Sequence, residues 1–317
     1  GRIMTAFRNN GLTAHRRNPA DFPENALPGF VDGRASGEDV KYPPAKLILF
    51  DLDGTLYLSG VLFPRVQELI HKLRESSLEY GFLTNNSTIG PGSYFNKLKR
   101  LGLELNRRNV VTSVEATCLM LRNLRIGPEI YILGTRKFRS YLESQGFVHS
   151  YEDAQALLIG FDTELTYRKL TEATRLVLAG KPIVASHPDP ICPGPFPDAG
   201  MLLEYFRAAR PGVVVQAIAG KPHRWLVQLL QERFQVRPEE MIMVGDRVNT
   251  DMRFAANFGM RSMLVLNGVP QPELGDIRPT LIVERIGQLC DEYWPENLGW
   301  TEPADKNAAG SRHRRKS

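Results

Sequence analysis

The sequence predicts an α/β protein whose core is a doubly wound parallel sheet, with a second αβ unit inserted into it. Short apolar runs of strand length alternate with segments in which apolar residues recur at helical spacing. Such alternation is typical of a parallel sheet with helices on both faces. The runs at residues 47–50 and 241–244 are apolar at every position, which is typical of strands buried on both faces.

The first series of elements lies between residues 46 and 121. Val66, Leu69, Ile70 and Leu73 show the helical spacing that identifies its first helix. Ser113 is the predicted N-cap of its last helix. The predicted elements are, in chain order, a strand at 46–50, a helix over 66–73, a strand at 80–83, and helices over 94–101 and 114–121.

A second series follows, and then the first pattern resumes at residue 213. The second series comprises strands at 130–133, 156–159 and 183–185 with helices over 137–145 and 167–177. The third comprises strands at 213–217, 241–244 and 263–266 with helices over 223–234 and 250–258. The sequence therefore predicts a core of residues 45–127 and 212–295, an inserted unit at 128–211, and flanking extensions at 1–44 and 296–317.

Composition excludes several classes of protein. The 317 residues are 42% hydrophobic and 24% charged, an ordinary globular composition for two domains or for one with a large insertion. Cys118, Cys192 and Cys290 form no CxxC pair, so neither a disulfide framework nor a zinc site is supported. No apolar run approaches the ~18 residues of a membrane span. We therefore expect a cytoplasmic protein in a reducing compartment.

Both flanking extensions are basic. The last twelve residues contain five of the cations behind the net charge of +5 and no acid, which predicts a disordered tail rather than a nucleic-acid-binding segment. Residues 1–44 lack periodicity, and the first twenty contain four arginines and no acid. A disordered extension is the interpretation we favour, with an organellar transit peptide as the alternative. The chain begins with Gly1, which leaves its native start open.

Two carboxylates follow the first predicted strand, in the segment DLDGT at residues 51–55. In open α/β sheets the ligand site lies at the carboxyl ends of the strands. Asp51 and Asp53 at such an end can hold a cation, and one can attack phosphorus while the other transfers a proton. Gly54 permits the sharp turn. Read alone, the segment is also compatible with a simple Asx turn.

Polar residues follow three further strands. Thr84 and Asn85 offer groups that bind phosphate oxygens, and Lys221 can balance the charge of a phosphate. Asp246 and Asp251 suit a hard, oxygen-preferring ion such as Mg²⁺. Each segment alone also fits a turn, a surface lysine or a helix N-terminus with favourable acids. Their common placement at strand ends is the more specific signal.

With its four motifs in this order, the chain resembles the haloacid dehalogenase superfamily of phosphatases. The DxDGT pattern at 51–55, Thr84, Lys221 and the GDxxxTD pattern at 245–251 match that family's motifs. The resemblance covers about residues 46–292 and implies a Rossmann-like core. It implies that Asp51 is the nucleophile, which forms an aspartyl-phosphate, and that Asp53 is the general acid and base.

The resemblance also implies the binding residues. Thr84, Asn85 and Lys221 would hold the phosphoryl group. The implied Mg²⁺ site comprises Asp51, the backbone carbonyl of Asp53, Asp246, and Asp251 in support of the metal shell and of Lys221.

The inserted unit narrows the resemblance to subclass IIA, which contains NagD, p-nitrophenyl phosphatases and pyridoxal phosphate phosphatase. In that subclass the inserted unit is a C2-type cap that contacts the leaving group of the substrate. Members often dimerise through this cap, so we expect a homodimer. His187 stands where that branch usually has Asn, and Asp198 stands where glycine is common. We predict that His187 contacts the substrate, with a loop-packing role as the alternative.

The sequence therefore predicts a Mg²⁺-dependent phosphomonoesterase acting on a small phosphorylated metabolite. A phosphotransferase on the same scaffold and a non-catalytic phosphometabolite-binding protein remain the alternatives. The identity of the ester stays open, because cap residues near 160–165 and 187–200 decide it.

Overall fold

The computed structural model of the protein describes residues 42–192 and 196–301. The expectations for residues 1–41, for the tail after Thr301 and for the native start lie outside the described residues. Within them the strands, numbered in chain order, are β1 Leu47–Asp51, β2 Tyr57–Leu58, β3 Val61–Leu62, β4 Glu79–Thr84, β5 Val110–Thr112, β6 Glu129–Leu133, β7 Val148–His149, β8 Leu157–Ile159, β9 Ile183–Ala185, β10 Ile191–Cys192, β11 Phe196–Pro197, β12 Val215–Ile218, β13 Met241–Gly245, β14 Arg261–Val265 and β15 Leu281–Val283.

The α-helices of the same residues lie between these strands. They are α1 Val66–Glu75, α2 Pro91–Arg100, α3 Ser113–Asn123, α4 Arg136–Ser144, α5 Tyr167–Leu178, α6 Ala199–Ala209, α7 Arg224–Phe234 and α8 Arg253–Phe258. A π-helical turn, Val248–Met252, leads into α8. None of these helices is both long and apolar enough to cross a membrane.

The N-cap of α3 differs from our prediction. Thr112, not Ser113, caps the helix, because the Thr112 side chain accepts from the Glu115 backbone while the Glu115 side chain accepts from Thr112. This reciprocal pair satisfies two backbone donors that the helix leaves open. Ser113 instead donates to the backbone oxygen of Asn85 at 2.8 Å, so it ties α3 to the loop after β4.

The larger sheet has six parallel strands in the order β15-β14-β13-β1-β4-β5. β1 lies at its centre, with Leu49 opposite Met243 of β13 and Gly81 of β4. Alternate residues of β1 enter two apolar cores, Leu47 and Leu49 on one face and Ile48 and Phe50 on the other. This confirms the doubly wound fold, and its switch point, where ligands bind, lies at the end of β1.

The smaller sheet is also parallel, with the order β12-β9-β8-β6-β7. We expected the strand near residue 213 to return to the larger sheet, and that expectation was wrong. The observed strand β12 pairs with β9, with Ile218 opposite Ala185. We therefore propose that the inserted unit extends to Ile218, with the core resuming at the loop that carries Lys221.

Candidate active site

The end of β1 brings Asp51 against the acids that follow β13. Gly54 has a φ of +92°, and a Cβ at this position would lie 2.3 Å from Oδ2 of Asp246. The turn therefore requires glycine both for its backbone and for the close approach. Thr55 Oγ1 donates to Asp246 Oδ1 at 2.9 Å, which fixes the Asp246 carboxylate beside the turn.

Lys221 lies fully buried between two carboxylates. Its Nζ donates to Asp51 Oδ1 at 2.5 Å and to Asp251 Oδ1 at 2.6 Å. Burial alone would lower the pKa of Lys221, but the charges and hydrogen bonds of Asp251 and Asp51 outweigh it and raise that pKa. The side chain is therefore a permanent cation at the strand ends.

Asp51, Asp246 and Asp251 form an acidic cluster. One carboxylate oxygen from each lies within 4.8 Å of the others. Burial raises the pKa of Asp51 despite Lys221, and burial together with the charge of Asp251 raises the pKa of Asp246 to about 6. Clustered carboxylate oxygens at such a spacing are the donor set that a hard divalent cation prefers. The residues present therefore fit a site for a hard divalent metal ion.

The members of the cluster differ in the oxygens they leave open. Asp251 uses both, since Oδ1 accepts from Lys221 and Oδ2 accepts from the Arg247 backbone at 3.1 Å. Asp51 and Asp246 each keep one oxygen that accepts no hydrogen bond from the described residues. Asp53 stands outside the cluster, and its Oδ2 accepts from Tyr57 Oη at 3.2 Å.

The predicted phosphate-binding residues follow β4. Thr84 and Asn85 are buried and line the same cleft as Asp51. The Asn85 amide is, however, engaged by the protein: Nδ2 donates to Asp189 Oδ2 at 2.7 Å and to the Lys221 carbonyl at 2.9 Å, and Oδ1 accepts from the Lys221 backbone at 2.8 Å. Asn85 therefore fixes the Lys221 loop beside β4.

His187 is fully buried, and it does not line the cleft. Its Nδ1 lies 2.8 Å from Ser186 Oγ and its Nε2 lies 2.8 Å from Asp198 Oδ1. Burial lowers the pKa of His187, but the charge and hydrogen bond of Asp198 outweigh burial and raise it above its ordinary value. The position is that of a loop-packing residue, the alternative to the predicted substrate contact.

The cleft is lined by residues from the strand ends and from the loop after β9. They are Asp51, Asp53, Thr84, Asn85, Asn86, Asp189, Cys192, Asp198 and Arg247. Asp189, Asp198 and Arg247 were not among the predicted site residues. Arg247 Nη1 donates to Asp189 Oδ1 at 3.0 Å. The segment HPDP at residues 187–190 was the signal for Asp189, but its partners are distant in sequence.

The fold and this cleft define a doubly wound α/β protein whose site lies at the carboxyl ends of a parallel sheet. A family model described as haloacid dehalogenase-like hydrolase matches residues 48–148, and a second, HAD-hydrolase-like, matches residues 218–289. The chain belongs to the haloacid dehalogenase-like hydrolases, in the subclass of NagD and 4-nitrophenylphosphatase, and it is a phosphoric monoester hydrolase.

Individual relatives cover most of the chain. Human glycerol-3-phosphate phosphatase is 31% identical over an alignment of 265 positions, which covers 73% of this chain and 81% of the relative. Dihydroxyacetone phosphatase of Corynebacterium glutamicum is 26% identical over 257 residues, covering 79% and 92%. The crystal structure of 4-nitrophenylphosphatase from Thermotoga maritima is similar with a TM-score of 0.72 and 36% identity, covering 78% of this chain and 96% of that one.

Proposed function

We propose that the protein is a Mg²⁺-dependent phosphomonoesterase that hydrolyses a small phosphorylated metabolite through an aspartyl-phosphate on Asp51. The observation that carries the proposal is the placement of Asp51 at the end of the central strand, bonded to the buried Lys221 at 2.5 Å. The names of the relatives, a glycerol-3-phosphate phosphatase and a dihydroxyacetone phosphatase, support the phosphate ester of a small hydroxylated compound as substrate.

Asp51 is the proposed nucleophile. Its Oδ1 is held by Lys221, which leaves Oδ2 to attack phosphorus in line with the leaving oxygen. The new bond joins Oδ2 to phosphorus, and the bond from phosphorus to the ester oxygen breaks. Lys221 stabilises charge that develops on the phosphoryl oxygens, and Asp251 keeps Lys221 in place.

Asp53 is the proposed proton donor and acceptor. It gives a proton to the leaving alkoxide in the first step and takes one from the water that attacks phosphorus in the second. In that second step the bond between phosphorus and Asp51 Oδ2 breaks, which releases inorganic phosphate and restores the carboxylate. Tyr57 Oη donates to Asp53 and accepts from Lys97 Nζ at 2.9 Å. This hydrogen bond orients the Asp53 carboxyl toward the cleft that it lines.

Asp51, Asp246 and the backbone carbonyl of Asp53 are the groups that we propose would hold Mg²⁺, and Asp251 would act behind them through Lys221. When bound, Mg²⁺ removes the repulsion between the Asp51 carboxylate and the dianionic phosphate. The open carboxylate oxygen of Asp246 and the clustering of one carboxylate oxygen each from Asp51, Asp246 and Asp251 within 4.8 Å support this assignment.

The test compares p-nitrophenyl phosphate turnover in Mg²⁺ by the wild type, Asp51→Asn and the matched surface control Asp153→Asn, whose side chain is exposed. We expect Asp51→Asn to lose at least about a thousandfold in kcat, and acid-quenched wild type to retain labelled phosphate. Equal rates in the wild type and Asp51→Asn would contradict the proposal.

The same assay separates the alternatives. Equal release of phosphate and alcohol supports hydrolysis, whereas phosphate transferred to added glycerol would indicate a phosphotransferase. No turnover of any ester by the folded, Mg²⁺-loaded wild type would indicate a binding protein. Dimerisation through the inserted unit stays a prediction, which light scattering tests.

A further inference from the structure

A buried polar chain runs from the loop after β4 to the wall of the cleft. Ser186 Oγ donates to Ser87 Oγ at 3.1 Å, and Ser186 Oγ also lies 2.8 Å from His187 Nδ1. His187 Nε2 lies 2.8 Å from Asp198 Oδ1. Ser87, Ser186, His187 and Asp198 are all buried. In the protonated form of His187, which Asp198 favours, Ser186 Oγ accepts from Nδ1 and donates to Ser87, while Asp198 Oδ1 accepts from Nε2. In that form His187 and Asp198 are an ion pair.

This pair joins two residues that are eleven positions apart in the chain. His187 lies in the loop after β9, and Asp198 lies directly before α6. The structure places these two residues in direct contact. The carboxylate at residue 198 therefore comes with a partner that compensates its charge, and a buried charge requires such a partner.

Asp198 offers only one of its two carboxylate oxygens to the fold. Oδ1 accepts from His187 and, at 2.6 Å, from the backbone of Ala199 at the start of α6. Oδ2 accepts no hydrogen bond from the described residues, and the side chain lines the cleft. One oxygen is thus anchored, and the other can accept from a ligand.

Asp198 belongs to the wall of the cleft that the segment after β9 supplies, together with Asp189 and Cys192. Attack by Asp51 in line with the leaving oxygen places that oxygen on the far side of phosphorus, away from β1. Since Asp51, Thr84 and Asn85 line the cleft from the strand ends of the larger sheet, the wall after β9 is left to contact the leaving group. Asp189 has both oxygens occupied, by Asn85 at 2.7 Å and by Arg247 at 3.0 Å. Asp198 therefore carries the open carboxylate oxygen of this wall.

We propose, resting on the phosphatase function proposed above, that Asp198 selects the leaving group and that His187 is its positioning residue. Asp198 accepts a hydrogen bond from a hydroxyl or ammonium group of the substrate and repels a carboxylate. The substrates are accordingly phosphate esters of polyols or amino alcohols rather than phosphorylated hydroxy acids. A site built to bond a hydroxyl group discriminates strongly against a partner that leaves its polar group unpaired.

The experiment measures kcat/KM for glycerol 3-phosphate, phosphoethanolamine and 3-phosphoglycerate in Mg²⁺. We expect the wild type to prefer the first two over 3-phosphoglycerate by at least about tenfold, and Asp198→Asn to reduce that preference about tenfold or more. In Asp198→Asn the kcat/KM for phosphoethanolamine should fall most, because its ammonium group loses the carboxylate that it pairs with. Asn also caps helices well, so α6 is retained. Asp153→Asn is the matched control, in which the preference is expected to stay as in the wild type.

A double-mutant cycle tests the positioning role of His187. His187→Gln should reduce the preference in the same direction, and adding Asp198→Asn should reduce it no further, because His187 acts only through Asp198. A purely structural role for His187 would lower stability and leave the two effects on preference additive. Asp198→Ser, which also caps a helix and lacks the carboxylate, replaces Asp198→Asn if that variant does not fold.

The outcomes separate this inference from the function on which it rests. A wild type that hydrolyses 3-phosphoglycerate as well as glycerol 3-phosphate, or a folded Asp198→Asn with unchanged preference, would overturn the selection role and leave the phosphatase intact. Failure of the wild type to release phosphate from all three esters and from p-nitrophenyl phosphate would overturn the phosphatase function, and this inference with it.

Discussion

Lys221 and Asp251 form an ion pair in which both side chains are almost wholly buried, with Nζ and Oδ1 2.6 Å apart. The same ammonium reaches Asp51 at 2.5 Å. Lys221 thus bonds two carboxylates, one at the end of β1 and one in the π-helical turn that follows β13. Removing one partner of a buried pair leaves an uncompensated charge, so folding and chemistry depend on the same side chain.

Lys221→Met should therefore lower the free energy of unfolding by about 3–5 kcal/mol and abolish phosphatase activity. Urea unfolding followed by circular dichroism measures the first effect. Lys46→Met is the matched control, because the Lys46 ammonium also meets a carboxylate, that of Glu240, at 2.7 Å but is 62% exposed. Lys46→Met should lower the free energy of unfolding by only about 0–1 kcal/mol. Similar losses in the two variants would contradict the special role of the buried pair.

Gly54→Ala should unfold the turn that joins Asp51 to Asp246. The new methyl group would meet Asp246 Oδ2 at 2.3 Å, and the φ of +92° adds strain. Gly60→Ala provides the control, since its φ is +79° and nothing lies within 4 Å of the added carbon. We expect Gly60→Ala to lower the free energy of unfolding by about 1 kcal/mol. Gly54→Ala should lower it by at least twice as much and should also abolish turnover. If Gly54→Ala and Gly60→Ala unfold at the same urea concentration, the clash with Asp246 does not explain the need for glycine at residue 54.

Tyr57→Phe removes the hydroxyl that lies between Lys97 and Asp53. Because Asp53 loses its orienting hydrogen bond, kcat for p-nitrophenyl phosphate should fall by about tenfold while KM changes little. Tyr131→Phe is the comparison: its hydroxyl bonds Glu172 at 2.7 Å within the inserted unit. A drop in kcat of the same size in both variants would show a general packing effect.

Much of this arrangement is visible in the sequence because it is local. The runs at 47–50 and 241–244 are apolar at every position, so they predict buried strands, and the acids at their ends follow from chain order alone. The sequence does not show, by contrast, which of the two sheets β12 joins. Its four residues would suit either sheet, and only the pairing of β12 with β9 places the strand in the smaller one.

The hydrogen-bond partners of individual polar side chains could not be predicted from the sequence either. Asn85 looked like a donor to phosphate, yet its amide bonds Asp189 and Lys221, which lie 104 and 136 residues away. His187 lies in the loop after β9 and Asp198 is the N-cap of α6, with β10 and β11 between them, so no helical or strand periodicity relates the two side chains. Tertiary contacts between residues so far apart in the chain leave no local pattern in the sequence, so only the folded structure shows them.

His187 should make stability depend on pH. Its folded-state pKa lies above the ordinary 6.5, because Asp198 and, more weakly, Asp189 outweigh burial and the opposing charge of Arg247. The stabilisation is therefore full below about pH 6.5 and is lost as pH rises through the folded-state pKa. The difference in unfolding free energy between the wild type and His187→Gln should be larger at pH 6 than at pH 9.

His149 supplies a control of opposite sign. Burial lowers its pKa, and its Nδ1 accepts from the Ile132 backbone at 3.0 Å, which requires the neutral ring. Its contribution is present above pH 6.5 and falls as pH drops through the folded-state pKa. The difference between the wild type and His149→Gln should accordingly shrink toward acid pH. A His187→Gln difference that follows the His149→Gln trend would contradict the ion pair with Asp198.

Mg²⁺ should stabilise the protein through the Asp246 side chain but not through the Asp53 side chain. Asp246 keeps an open carboxylate oxygen beside Asp51, whereas the Asp53 carboxylate bonds Tyr57, and only the Asp53 backbone carbonyl is proposed to bind metal. At Mg²⁺ a hundredfold above Kd, binding adds about 2.7 kcal/mol. The Mg²⁺-induced rise in Tm should therefore survive in Asp53→Asn, which is expected to be inactive, and largely vanish in Asp246→Asn. An equal rise in both variants would remove Asp246 from the metal site, and loss of the rise in both would place the Asp53 carboxylate in it.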